Sequence, residues 1–203
     1  MTTASTTDNA IRKALHATEL RPHHDCPDTL ILNELALAHS SARIDVAVLN
    51  GCLHGYEIKS SVDTLHRLPR QIDLYVECLQ KLTIVCAPRH LEGVYSIVPS
   101  WCGVMEAQKG EQGDIKFVTH RVPQENKNVQ GSRLAHLLWR QEAVDMLASQ
   151  NLPVKILKQP RKQLYLEIAD RFTVTEISAY IKSAMASRPR WRGPQVRASY
   201  GGL

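Results

Sequence analysis

Apolar residues recur along this chain with two periods, and the switches between them outline its elements. Over residues 8–20, Ile11 and Leu15 return at helical spacing beside Ala14, with Asp8 as a candidate N-cap. A loop holding Pro22 and Pro27 leads to residues 28–38, Asp-Thr-Leu-Ile-Leu-Asn-Glu-Leu-Ala-Leu-Ala, which read as a second helix carrying Glu34. Alternation then replaces the helical period: residues 43–49 and 56–59 read as two strands around the turn signal Asn50-Gly51. Pro69 suits the first turn of a helix that ends near Gln80. Residues 82–87 form a continuous apolar run of the kind found in buried strands, and 95–98, 103–107 and 114–119 read as further strands.

Beyond Gln124 the pattern turns helical again. Residues 132–147 read as one helix, and residues 161–186 as two, broken near Phe172-Thr173 with Thr175 as cap of the second. The expected organisation is a mixed α/β core over residues 1–122 followed by a helical subdomain over 123–203.

Charge inside the strand patterns carries the chemistry. Asp45 interrupts an otherwise apolar strand, where an unpaired carboxylate would be costly. Glu57 and Lys59 sit two residues apart, so their side chains share one face. Asp45 joins that face only in the right register. A two-residue Asn50-Gly51 loop would oppose Asp45 to Tyr56 and send Glu57 to the other side, whereas a three-residue loop, with Leu49 facing Leu53, brings the acids together. The grouping expected on chemical grounds therefore runs against the usual two-residue turn. The plain alternative is a structural ion pair of Asp45 with Arg43 or Lys59.

Asp45, followed by Glu57-Ile58-Lys59, resembles the metal-binding signature of the PD-(D/E)XK nuclease superfamily. Gln71-Ile-Asp-Leu-Tyr75 matches the Gln-x-x-x-Tyr motif of its RecB-like branch, and Glu34 stands where that superfamily often has a helix glutamate. The string from Tyr56 to Gln71 looks in particular like a small family of bacterial and phage proteins within it. Ile44 precedes Asp45 where the name-giving motif has proline. The resemblance implies a restriction-endonuclease-like core, a mixed central sheet flanked by helices. It further implies a Mg²⁺ or Mn²⁺ ion on Asp45, Glu57 and the Ile58 carbonyl, with Glu34 near a second metal or a ligand water. Lys59 would act on the attacking water, and Gln71 would orient that water or Lys59 itself. The implied activity is hydrolysis of phosphodiester bonds, in DNA ahead of RNA, in phage defence or DNA repair. The alternative is a silent site in a module that binds nucleic acid or a partner protein. Because apposed carboxylates repel, Glu57→Gln is expected to leave stability unchanged or raised.

Charge and cysteine content fit an intracellular partner of nucleic acid. The net charge is +5, and residues 153–203 hold ten Lys or Arg against three Asp or Glu. Arg188, Arg190 and Arg192 in that segment, with Arg67 and Arg70 beside the motif, are candidate phosphate contacts. Five cysteines without a Cys-x-x-Cys pair read as reduced thiols, and His23-His24-x-Cys26 has no second ligand cluster. The polar N-terminal octet lacks the order of a signal peptide, and no long uncharged apolar run suggests a membrane span. A cytoplasmic protein is expected, with its oligomeric state and any partner protein left open.

Overall fold

The two strands around Asn50-Gly51 form a hairpin at the heart of a mixed sheet. A computed structural model describes residues 5–37 and 41–188. Six strands lie in the order β1 (Leu30–Leu37), β2 (Ala42–Leu49), β3 (Leu53–Lys59), β4 (Lys81–Cys86), β5 (Gly103–Lys109) and β6 (Ile115–Arg121). β1, β2 and β3 pair antiparallel, β3, β4 and β5 parallel, and β6 antiparallel to β5. In the hairpin Leu49 pairs with Leu53, so the loop has three residues and the register is the one that groups Asp45 with Glu57. Gly51 takes a left-handed φ of 72° there, which a side chain would resist.

Parallel neighbours need crossovers, and helices supply them. α3 (Leu68–Cys78) links β3 to β4, and α4 (Leu91–Ile97) links β4 to β5. Residues 95–98 are thus helical up to Ile97, not a strand; the chain must travel back along the sheet, and α4 buries Val94 against it. α3 lies close enough that a Cβ on Gly55 would meet Leu79 Cδ1 at 2.6 Å.

Strand β1 (Leu30–Leu37), not a helix, occupies most of the stretch read as helical over residues 28–38. Pairing of β1 with β2 runs from Leu30↔Leu49 to Asn33↔Val46, skips Glu34 and Asp45, and resumes at Leu35↔Ile44. Glu34 has φ 55°, a left-handed value for a residue with a side chain. Both strands change phase at this irregularity. Leu30 and Leu32 on one side of it, and Leu35 and Leu37 on the other, all join the same core. Spacings of two, three and two residues imitate a helical stripe, which is why the sequence reads as one.

That core holds one face of the sheet together with α3, α4 and the C-terminal helices α5 (Gly131–Ala135), α6 (Arg140–Ala148), α8 (Arg161–Arg171) and α9 (Val174–Ser187). A short α7 (Val154–Leu157) precedes α8. The expected helix over 132–147 is interrupted between α5 and α6. The Leu138 carbonyl accepts from Tyr165 Oη at 2.7 Å, and Glu142 Oε2 accepts from the Trp139 amide at 2.7 Å, starting α6 afresh. α9 is capped by Thr173, not Thr175: its amide donates to Glu176 Oε2 and its hydroxyl accepts from the Glu176 amide.

The opposite face carries a smaller core of Val46, Val48, Tyr56, Ile58, Val85 and Met105, covered by Ile11 and Leu15 of α1 (Asp8–Ala17) and by Leu20. Thr7, not Asp8, caps α1, accepting from the Ala10 amide. A short α2 (Arg21–His24) follows. Among the described residues no helix is long and apolar enough to cross a membrane.

Candidate active site

β3 and α3 build one half of the site from regular spacing. Glu57 and Lys59 share the β3 face that α3 covers, and both are buried. Gln71 and Tyr75, four residues apart, present one helical face to them. Lys59 Nζ donates to Glu57 Oε1 at 2.6 Å and to Gln71 Oε1 at 3.0 Å. Gln71 Nε2 donates to the same Glu57 oxygen at 2.7 Å. Tyr75 Oη lies 2.7 Å from Glu57 Oε2 and from the Arg43 carbonyl, so one hydroxyl proton serves two acceptors. Burial and then the Glu57 charge raise the Tyr75 pKa far above its ordinary value, which keeps the phenol protonated as a donor.

The other half arises where β2 and β3 part. Their pairing ends at Val46↔Tyr56, and Asp45 Oδ2 takes the Ile58 amide at 2.6 Å, filling the place of a strand carbonyl. The Asp45 carboxylate is therefore anchored one residue from Glu57. Its pKa is pushed up to about 7, first by burial and then by the Glu57 charge, against the lowering effect of the Ile58 amide. Arg12 of α1 reaches this edge: its Nη2 lies 3.4 Å from Asp45 Oδ1 and 3.0 Å from Asp8 Oδ1, and it contacts Glu34 Oε1. Glu34 stands on the β1 irregularity, half exposed, with Arg43 Nη1 at 3.7 Å from its other oxygen.

The loop after β3 is tied to the residues just before α1. Asp63 Oδ2 accepts from the Ser60 amide at 2.8 Å and from Ser60 Oγ at 2.5 Å. Ser61 Oγ accepts from the Thr6 amide at 2.6 Å, and the Ser61 amide donates to Thr6 Oγ1 at 3.0 Å.

Asp45, Glu57, Ile58, Lys59 and Gln71 are thus brought together, with Glu34 at the rim. Arg67 and Arg70 are exposed at the start of α3. Arg188 is built into the fold instead of offered to a phosphate: it is 4 % exposed, donates to both Glu142 oxygens and the Leu137 carbonyl, and stacks over Trp139. Arg190 and Arg192 lie outside the described residues. Sequence reasoning missed Arg12 and Asp8; their spacing of four on a helix was the available signal.

The donor set suits a hard cation sparingly. Among the described residues no group of three or more His, Cys, Asp or Glu side chains is placed to hold a metal. Two carboxylates and a backbone carbonyl match the needs of Mg²⁺, which keeps several waters and completes its shell with substrate phosphate oxygens. Burial first, and the Glu57 charge second, disfavour the ionised form of Asp45, and an added cation on this carboxylate would favour it.

Comparisons with known proteins point to a phage family. Protein cII of Enterobacteria phage P4 is 43 % identical over 90 residues, which cover 44 % of this chain and 34 % of that protein. The aligned stretch thus spans about a third of the relative's length. A solved structure, the SPO1766 protein of unknown function from Silicibacter pomeroyi, superposes with a TM-score of 0.45 at 18 % identity, over 73 % of this chain and 94 % of that one. The family model described as Bacteriophage P4 protein cII matches residues 5–190, and the chain belongs to that family.

Proposed function

We propose that the protein is a metal-dependent nuclease of the restriction-endonuclease-like kind, a cytoplasmic enzyme that hydrolyses phosphodiester bonds, in DNA ahead of RNA. The observation that carries this reading is the buried Lys59–Glu57–Gln71–Tyr75 network set one residue from the Asp45 anchor. Also in its favour is the order of the core, a hairpin followed by α3 and the parallel β4, with the Glu-x-Lys pair on β3.

A Mg²⁺ or Mn²⁺ ion on the Asp45 and Glu57 carboxylates and the Ile58 carbonyl would polarise a phosphate oxygen and acidify a bound water. The remaining work falls to the chain itself. Two acceptors hold the Lys59 ammonium, leaving its third proton for the attacking water or for the charge that builds on the phosphate. Gln71 grips both Lys59 and Glu57 and so fixes their relative position. Tyr75 restrains the second Glu57 oxygen. Arg67 and Arg70 flank this face and offer contacts to the phosphate backbone.

The test is incubation of the purified chain with single- and double-stranded DNA and RNA in Mg²⁺, Mn²⁺ or EDTA. Metal-dependent cleavage of DNA that EDTA and Glu57→Gln abolish is the expected result; intact polymers in every metal would overturn it. One observation favours a second reading, a silent module that binds nucleic acid or a partner: Arg12 and Lys59 already neutralise the carboxylates from within. Binding in EDTA with no cleavage in Mn²⁺ would be its signature. Phage defence and DNA repair are the settings that suit the enzymatic reading.

A further inference from the structure

Arg12 is placed as a cation would be placed. Its Nη2 faces Asp8, Glu34 and Asp45 together, although these acids come from α1, β1 and β2. The side chain is only 18 % exposed, and its Nε is buried without an acceptor among the described residues. One nitrogen shared among three carboxylates forgoes the paired fork geometry that makes arginine contacts strong. On β1, Glu34 reaches this position from a left-handed backbone that a residue with a side chain adopts only at a cost. These are the marks of a charge held in place by its surroundings, not of an optimised ion pair.

We propose that Arg12 is a built-in counter-cation that competes with the divalent ion at the Asp45 side of the site, so that the seating of α1 sets metal affinity. The proposal rests on the metal-site reading above. An ion arriving on Asp45 meets the guanidinium at 3.4 Å from Asp45 Oδ1, and like charges at that range oppose each other. Loading therefore requires Arg12 to turn away, where it becomes free to meet a substrate phosphate. The segment that leads into the helix carrying Arg12, one residue before its Thr7 cap, is held by the Thr6–Ser61 hydrogen bonds, and Ser61 lies two residues beyond Lys59. Seating of α1 and geometry at the end of β3 are thus mechanically joined.

The experiment is calorimetric titration of the full chain with MnCl₂ at pH 8, comparing wild type, Arg12→Met and Ser61→Ala. Arg12→Met keeps the apolar stem and removes the charge; it should bind Mn²⁺ at least about tenfold tighter, the scale on which a neighbouring charge shifts a carboxylate. Ser61→Ala loosens the α1 tether without touching an acid and should shift affinity the same way by a smaller factor. Equal or weaker affinity in Arg12→Met overturns the proposal, as does absence of Mn²⁺ uptake by every variant. Should Arg12→Met not fold by circular dichroism, an unchanged affinity in Ser61→Ala overturns it alone. Cleavage measured in parallel separates the two ideas: DNA hydrolysis with equal affinities removes the counter-cation and keeps the nuclease, and unequal affinities without hydrolysis do the reverse.

Discussion

The two halves of the candidate site hold their carboxylates by opposite means. On the β3–α3 side, Glu57 is buried and each of its oxygens accepts from a fixed donor on a regular element. On the β1–β2–α1 side, Asp45 and Glu34 stand where strand pairing fails, and their cation comes from a helix on the other face of the sheet. Regular spacing gives a preorganised group that moves little. Broken spacing gives a group whose charge and partners can change. A site needing both a fixed Lys–Glu pair and a cation that comes and goes would divide its labour this way.

The comparison breaks most visibly if substitutions in the two halves behave alike. On the proposed nuclease reading, Glu57→Gln, Lys59→Ala and Asp45→Asn should each lower cleavage about a hundredfold or more, since each removes a charge that the proposed reaction would use. Their stabilities should part company. Lys59→Ala leaves Glu57 buried beside only neutral donors and should cost about 3 kcal/mol in urea unfolding with EDTA present. Glu57→Gln strands the buried Lys59 ammonium and should cost a comparable amount, against the sequence-based expectation of no loss, because Glu57 proves to be paired instead of simply repelled. Asp45→Asn should cost far less.

A second difference concerns pH. The folded-state pKa of Asp45, pushed up to about 7 from its ordinary 3.8, means that the metal-free fold holds this proton longer than the unfolded chain does. Its stabilising contribution is therefore complete below about pH 4 and is lost as pH rises through about 7. Urea midpoints in EDTA across pH 4 to 8.5, compared between wild type and Asp45→Asn, should show this decline in wild type alone. An identical profile in the variant would remove Asp45 from the account. The smallest effect belongs to Glu34→Gln: its ion pairs are half exposed, and the loss should stay under about 1 kcal/mol.

Local pattern decides how much of this was legible. The strand patterns at residues 43–49 and 56–59 gave both strands, although β2 changes phase at Asp45, and the demand that Asp45 and Glu57 share a site gave the three-residue loop. The Gln71–Tyr75 spacing gave the α3 face. β1 escaped because the skipped pair Glu34–Asp45 shifts the phase of its apolar residues by one, and no local rule announces such a break. Tyr95-Ser96-Ile97 is too short to show a period, and only the parallel pairing of β4 with β5 requires a helix there. Arg12 meets Asp45 across 33 residues of sequence, and Arg188 meets Glu142 across 46, distances at which only tertiary packing assigns partners. In sequence Arg188 belongs to a basic run; in the fold it is a buried ion pair.

The central claim is that Asp45 and Glu57 hold one divalent cation between two unlike halves. An anomalous difference map from crystals of the protein grown with MnCl₂ tests it most directly. A single peak within coordination distance of both carboxylates, about 2.0–2.6 Å for a hard cation on oxygen ligands, is the predicted result. Arg12 should be turned away from Asp45 in the same map. A peak elsewhere, or none at saturating Mn²⁺ with Arg12 still seated on Asp45, would contradict the account.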